Sequence, residues 1–394
     1  MKLFRPASLS AETIRTRQTQ AAEPIKLVPQ QFELKNVLPQ DLDSRINASV
    51  ASANQTKNRS SADIFSPAPP VVKPTGEKIS AKDALNSISK ASGVFEVQES
   101  LDALEDEASP SFKASKIARQ PIFGFNNRSR FSPLPLNLIW GTPGADDITG
   151  TGQTDFINGL SGNDTIRGAN GDDIIFGGSG DDIISGDHVP SQTTQSNDII
   201  FGGSGADKLF GRIGEDRLLG GNGDDQIFGG SGRDRLSGGN GDDQLFGGIV
   251  PGDASFNPDP DARDVLAGGK GNDYLDGGLG DDYLNGSSNA AKGAGEIDLL
   301  TGGLGNDTFV LGTSAGAYYI QGGASQDFAI VLDFEQGDRV RLNGDSSQYV
   351  LAYDATEGST ALGYLGGGNF ELVGVFADVD LSNTSLDSSA FQYV

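Results

Sequence analysis

Residues Gly220 to Phe246 read GGNGDDQIF, GGSGRDRLS, GGNGDDQLF: three contiguous nine-residue copies of the frame GGxGxDxUx, where U is aliphatic. Extending the frame in both directions gives sixteen copies between Gly141 and Val310. The sixth position is aspartate in every one: Asp146, Asp155, Asp164, Asp173, Asp182, Asp198, Asp207, Asp216, Asp225, Asp234, Asp243, Asp264, Asp273, Asp282, Asp298 and Asp307. The eighth is Ile, Leu or Phe, from Ile148 to Phe309. Three copies carry insertions before their aspartate, within residues 186–201, 247–267 and 286–301. A fixed short period with one apolar residue per copy cannot bury a face alone, so successive copies must stack into a solenoid.

The composition agrees with the repeat. The chain of 394 residues holds 56 glycines, where ordinary usage gives about 28. Hydrophobic residues make up 36%, too few for a large conventional core along the whole length. The charge is divided. Residues 1–135 carry 18 Lys+Arg against 14 Asp+Glu, a net of +4, and the remainder 11 against 40, a net of −29, together the −25 of the whole chain. So acidic a region repels nucleic acid and anionic lipid and attracts cations. Without cysteine there is neither disulfide nor thiolate metal site. No stretch has the roughly 18 apolar residues of a membrane span, and Met1–Arg17 lacks the apolar core of a cleaved export signal. If the protein leaves the cell, another route is expected.

The repeat resembles that of the RTX (repeats-in-toxin) proteins, bacterial proteins exported by type I secretion; the likeness covers about 170 residues. It implies an all-β fold, a right-handed parallel β-roll with a C-terminal β cap, and calcium ions, several of them, held by the sixteen aspartates. The residues support this chemistry. Calcium takes six to eight oxygen ligands at about 2.3–2.6 Å. Glycines let backbone carbonyls converge on an ion, and each turn adds one carboxylate. The xUx triplet is a short strand whose middle side chain points inward. Two nonapeptides then make one coil, so turns n and n+2 are neighbours with room for an ion between them. Like charges repeating about 5 Å apart repel by about 0.8 kcal/mol per pair even in water. A thin file of single aliphatic residues does not offset that repulsion, so metal binding and folding are expected to be one event. Copies with Thr142, Thr151 or Gln153 at glycine positions, with Arg212 and Ile213, or with an insertion are expected to be the weaker ones.

Three segments follow. Residues 1–135, with runs such as SPAPPVVKPTG, read as a disordered or weakly helical N-terminal segment. A loose apolar spacing over Ala81–Glu107, broken at Gly93, is its one helical stretch. Residues 141–310 are the β-roll. Residues 311–394 hold the strand-like runs AYYI, FAIVLDF, RVRL, YVLAY and FELVGVF and read as a β-rich cap. VLDFEQGDRVRLNG resembles the segment that follows RTX repeats. The small, hydroxylated tail SLDSSAFQYV is similar to their uncleaved secretion signals, or else is a plain cap strand.

Positions seven and nine are expected to face outward. Phe210, Phe228 and Phe246 then line one face, and Phe176, Phe201 and Leu219 the other. Two readings stand: aromatic packing that supports a thin solenoid, or a docking surface for the N-terminal segment or a second molecule. The lone histidine, His188, falls in the first insertion and excludes an HExxH metalloprotease. The expectation is a secreted or cell-surface calcium-binding protein with a structural or interaction role, not an enzyme. Its partners are calcium, the type I secretion machinery and a self-association or cell-surface partner. The alternative is an enzyme or accessory module acting on extracellular polysaccharide.

Overall fold

A computed structural model describes residues 137–187, 196–248, 262–288, 295–320, 327–366 and 371–394. The Ala81–Glu107 stretch and His188 lie outside the described residues. Successive short strands alternate between two sheets. Asp155–Ser161 joins the first sheet, Thr165–Ala169 the second, Ile174–Ser179 the first again, and the alternation continues through the repeat. The first sheet has eleven strands and the second twelve. Within the repeat all pairings are parallel, and Gln226–Phe228 lies in register with Gln244–Phe246, eighteen residues on. One coil is therefore two nonapeptides. The β-roll expected from the sequence is the fold observed.

The sequence pattern explains the alternation. Each xUx triplet is long enough for one inward side chain, and the glycines after it turn the chain across to the other sheet. The inward residues Ile148, Ile157, Ile166, Ile175, Ile184, Ile200, Leu209, Leu218, Ile227, Leu236, Leu245, Leu266, Leu275, Leu284, Leu300 and Phe309 are all 0–2% exposed. They form one narrow core between the sheets. The insertions leave this register intact: Ile174–Phe176 pairs with Ile199–Phe201, and Arg235–Ser237 with Val265–Ala267.

Position nine departs from expectation. Phe210, Phe228 and Phe246 are 0–1% exposed, and Phe176, Phe201 and Leu219 only 4–9%. Stacking is part of the reason. Phe210 and Phe228 lie 5.1 Å apart with rings 5° from parallel, and Phe228 and Phe246 4.9 Å apart at 7°. Coils about 4.8 Å apart bring like residues to the separation at which aromatic rings pack face to face. Tyr274 and Leu299, at position seven of their copies on the same sheet, pack against the end of this row.

The boundary at residue 311 is not an architectural break. Phe328–Val331 adds in parallel to Ile297–Leu304, and Arg339–Leu342 to Thr308–Val310, so both sheets run on beyond the last repeat. Antiparallel strands Tyr349–Asp354, Ser359–Tyr364 and Glu371–Phe376 then end the second sheet. The chain terminus closes the first as the strand Phe391–Tyr393 beside Arg339–Leu342, so part of the SLDSSAFQYV tail is a cap strand. The run AYYI is not a regular strand. Only Gly316–Ala317 pairs there, and Tyr318 and Tyr319 turn into the interior, 1% and 0% exposed.

Candidate metal sites

Each aspartate stands at the turn entering a strand, and its two carboxylate oxygens do different things. Oδ1 accepts a hydrogen bond from the backbone N–H of the equivalent aspartate one coil earlier. Along the first sheet's edge the row runs Asp155, Asp173, Asp198, Asp216, Asp234, Asp264, Asp282, Asp307, each N–H donating to the next carboxylate at 2.7–2.9 Å. Along the second it runs Asp146, Asp164, Asp182, Asp207, Asp225, Asp243, Asp273, Asp298 at 2.8–3.0 Å. All sixteen sequence-predicted residues are thus brought into two files, including Asp198, Asp264 and Asp298 behind their insertions.

Oδ2 faces inward. In Asp164, Asp173, Asp182, Asp198, Asp207, Asp216, Asp225, Asp234, Asp243, Asp273 and Asp282 it is buried with no hydrogen-bond donor. An ionised oxygen in that state is costly unless a cation meets it. The space beside it is kept open by the first glycine of the frame. A Cβ on Gly229 would lie 2.4 Å from Asp234 Oδ2 and 2.7 Å from the Gly247 carbonyl oxygen of the next coil. Gly177, between Asp182 Oδ2 at 2.3 Å and Gly202 O at 2.7 Å, repeats the arrangement. A carboxylate oxygen and a carbonyl oxygen converge where no side chain fits. Among the described residues no three His, Cys, Asp or Glu side chains form one cluster, so a cation here draws its remaining ligands from backbone carbonyls. An all-oxygen donor set of this kind suits a hard cation such as calcium.

Burial pushes these carboxyls upward: Asp182 to about 6, Asp164 and Asp225 to about 7, Asp173 and Asp207 to about 8, and Asp198, Asp243 and Asp282 to about 9. Asp216, Asp234 and Asp273 rise well above the usual range from burial and then from neighbouring carboxylates, Asp234 and Asp198 in the case of Asp216.

The structure adds residues the sequence reading passed over. The first glycine of the frame is present in all sixteen copies, from Gly141 to Gly302, as constant as the aspartate and for the same reason. Asp338, in the cap, extends the first file: its Oδ1 accepts from Asp307 N at 2.9 Å. Its signal was the Gly337-Asp338-Arg339-Val340 sequence at the head of a strand. Position five builds an outer file running the opposite way, in which a later backbone N–H donates to an earlier side chain: Ala206 N to Asp181 Oδ1, Asp242 N to Asp224 Oδ1, Asn272 N to Asp242 Oδ1. Arg212 takes φ +89 at a glycine position; it is buried and donates to Ser185 Oγ at 2.6 Å, beside Asp187.

The RTX calcium-binding nonapeptide repeat matches residues 140–173, 158–187, 192–227, 219–249, 261–290 and 288–315. The fold and the repeat together define a calcium-binding β-roll. Residues 140–315 of the chain carry RTX calcium-binding nonapeptide repeats. Among solved structures, the extracellular lipase LipA from Serratia marcescens matches at 19% identity with a TM-score of 0.16, over 68% of this chain and 40% of its own. The chain thus spans less than half the length of that lipase. No curated protein matches the sequence.

Two predictions follow from the carboxylates. Gly220→Ala places a Cβ 2.1 Å from Asp225 Oδ2. Overpacking of about 1–3 kcal/mol raises the calcium concentration at half-folding about tenfold. Gly152→Ala, whose Cβ meets nothing within 4 Å, leaves it unchanged; equal midpoints for the two variants would contradict the cradle. The second concerns pH. A carboxyl whose pKa is raised in the folded roll stabilises it fully below the unfolded value near 3.9, and that stability is lost as pH rises through about 6–9. In chelator, strand signal should therefore grow as pH falls from 8 to 5. The calcium needed for half-folding should decrease over the same interval, because protons neutralise the same folded carboxylates that calcium otherwise must. A calcium midpoint independent of pH would remove the carboxylates as ligands.

Proposed function

We propose that this is a secreted or cell-surface protein whose β-roll folds when it meets calcium, with a structural or interaction role and not a catalytic one. The observation that carries the calcium-triggered part is the set of buried Oδ2 atoms without donors in the two files, those of Asp173, Asp182, Asp225, Asp234 and Asp243 among them. Aspartates of the two files hold several ions in this reading, together with carbonyl oxygens of the first glycines. A roll that is unstable without calcium suits export by a type I system. The chain stays unfolded in a calcium-poor cytosol, threads a narrow channel, and folds outside. The C-terminal tail is the export signal of this reading, and its strand Phe391–Tyr393 forms only after exit. In this reading the partner of the folded roll is a second copy or a cell-surface molecule. Among the described residues no helix is long and apolar enough to cross a membrane.

Export is the test. In a bacterium carrying a type I exporter, the full chain should reach the medium, and a variant lacking residues 385–394 should stay in the cells at least about tenfold more. Equal release of the two would overturn the tail's role. Retention of the full chain under all conditions would overturn secretion by this route.

A further inference from the structure

We propose that the row of metal ions stops short of the row of aspartates: the protein's own donors close the rungs at both ends, so Asp298, Asp146 and Asp155 hold no ion. The inference rests on the calcium reading above and fixes which aspartates it excludes.

At the C-terminal end of the second file, Asp298 Oδ1 accepts from Asp273 N at 3.0 Å like its predecessors. Its Oδ2 differs, because it accepts the Tyr319 hydroxyl at 2.5 Å. Both residues are 0% exposed. The residue in register with Asp298 on the next strand is Ala329, so the following coil has no acid at that position. Tyr319 sits at φ +57, a left-handed conformation that an aromatic residue rarely adopts and that its surroundings must hold. A calcium ion needs six to eight oxygens around it. At this place the carboxylate faces an O–H hydrogen and a buried phenol ring.

At the N-terminal end the same closure uses threonine. Position two of the frame is glycine at φ +118 to +121 in Gly178, Gly203, Gly221 and Gly239. Thr142 and Thr151 stand at that position and are not among the positive-φ residues. Their backbone N–H groups point at the carboxylate instead. Thr142 donates from N and Oγ1 to Asp146 Oδ2, and Thr151 from N to Asp155 Oδ2 and from Oγ1 to Asp155 Oδ1. A carboxylate oxygen that already accepts N–H and O–H hydrogens has positive charge where a cation would have to sit. The end coils therefore complete their aspartates with protein hydrogen bonds, while the interior coils leave them for metal.

The experiment counts calcium bound per full-length chain, by elemental analysis after equilibrium dialysis, in wild type and in three variants. Asp298→Asn and Asp155→Asn should bind as many ions as wild type, whereas Asp225→Asn should lose at least one. Loss of an ion in either end variant, matching Asp225→Asn, would overturn the proposal. The two end variants lie at opposite ends of the roll, so a folding defect in one leaves the other decisive. Tyr319→Phe gives a further reading: it should lower the thermal midpoint in saturating calcium with the ion count unchanged, and a lower count would also overturn it. A wild-type chain that binds no calcium is a different result, one that defeats the calcium reading itself.

Discussion

The structure depends on a carboxylate at every turn of the roll, buried from Asp155 to Asp307. Parallel coils superimpose equivalent residues about 4.8 Å apart, so a single aspartate per nonapeptide becomes an unbroken file of like charges. Oδ1 of each is held by the backbone of the coil before it, and that bond fixes the direction in which Oδ2 points. Burial and mutual repulsion both raise the proton affinity of these groups. At neutral pH a folded file must be neutralised, and converging oxygens with no room for a side chain admit a bare cation. The glycines, the short strands and the narrow aliphatic core all serve that geometry.

The hydrogen bonds along the edges give the stack a polarity. The inner file of position-six carboxylates accepts from the preceding coil. The outer file of position-five side chains accepts from the following one. Each coil is therefore held by both neighbours through opposite ends of adjacent residues, and an isolated coil has neither partner. Cooperative formation follows from the arrangement: a coil gains its bonds only where the next already stands. The cap fits this logic. Asp338 supplies the acceptor that Asp307 needs, and Asp333 accepts from Gly302 N and Gly303 N at 2.9 and 2.8 Å.

The period and the position-eight aliphatics make the roll, its register and its inner core legible from residues such as Ile227 and Leu245. The sixth-position aspartates mark both files, because an acid repeated in every copy has one place to go. What was hidden depends on contacts between coils. The constancy of the first glycine is plain in the sequence, but its meaning lies in the carboxylate and carbonyl oxygens that crowd its missing Cβ. Phe210, Phe228 and Phe246 read as outward-facing, but in the fold they are buried in a row of their own, their rings stacked at the coil spacing. Asp338 lies outside the repeat frame, and only strand pairing of Thr308 with Arg339 brings it under Asp307. Thr142 and Thr151 read as weakened glycine positions; in the fold they are hydrogen-bond donors to their own aspartates.

The central claim is that calcium and the folded roll are inseparable. Far-ultraviolet circular dichroism of the full chain at neutral pH, first in chelator and then through a calcium titration, tests it most directly. The account predicts little strand signal without calcium and a cooperative gain to a strand-rich spectrum as calcium is added. A spectrum already rich in strand in chelator, unchanged by calcium, would contradict it.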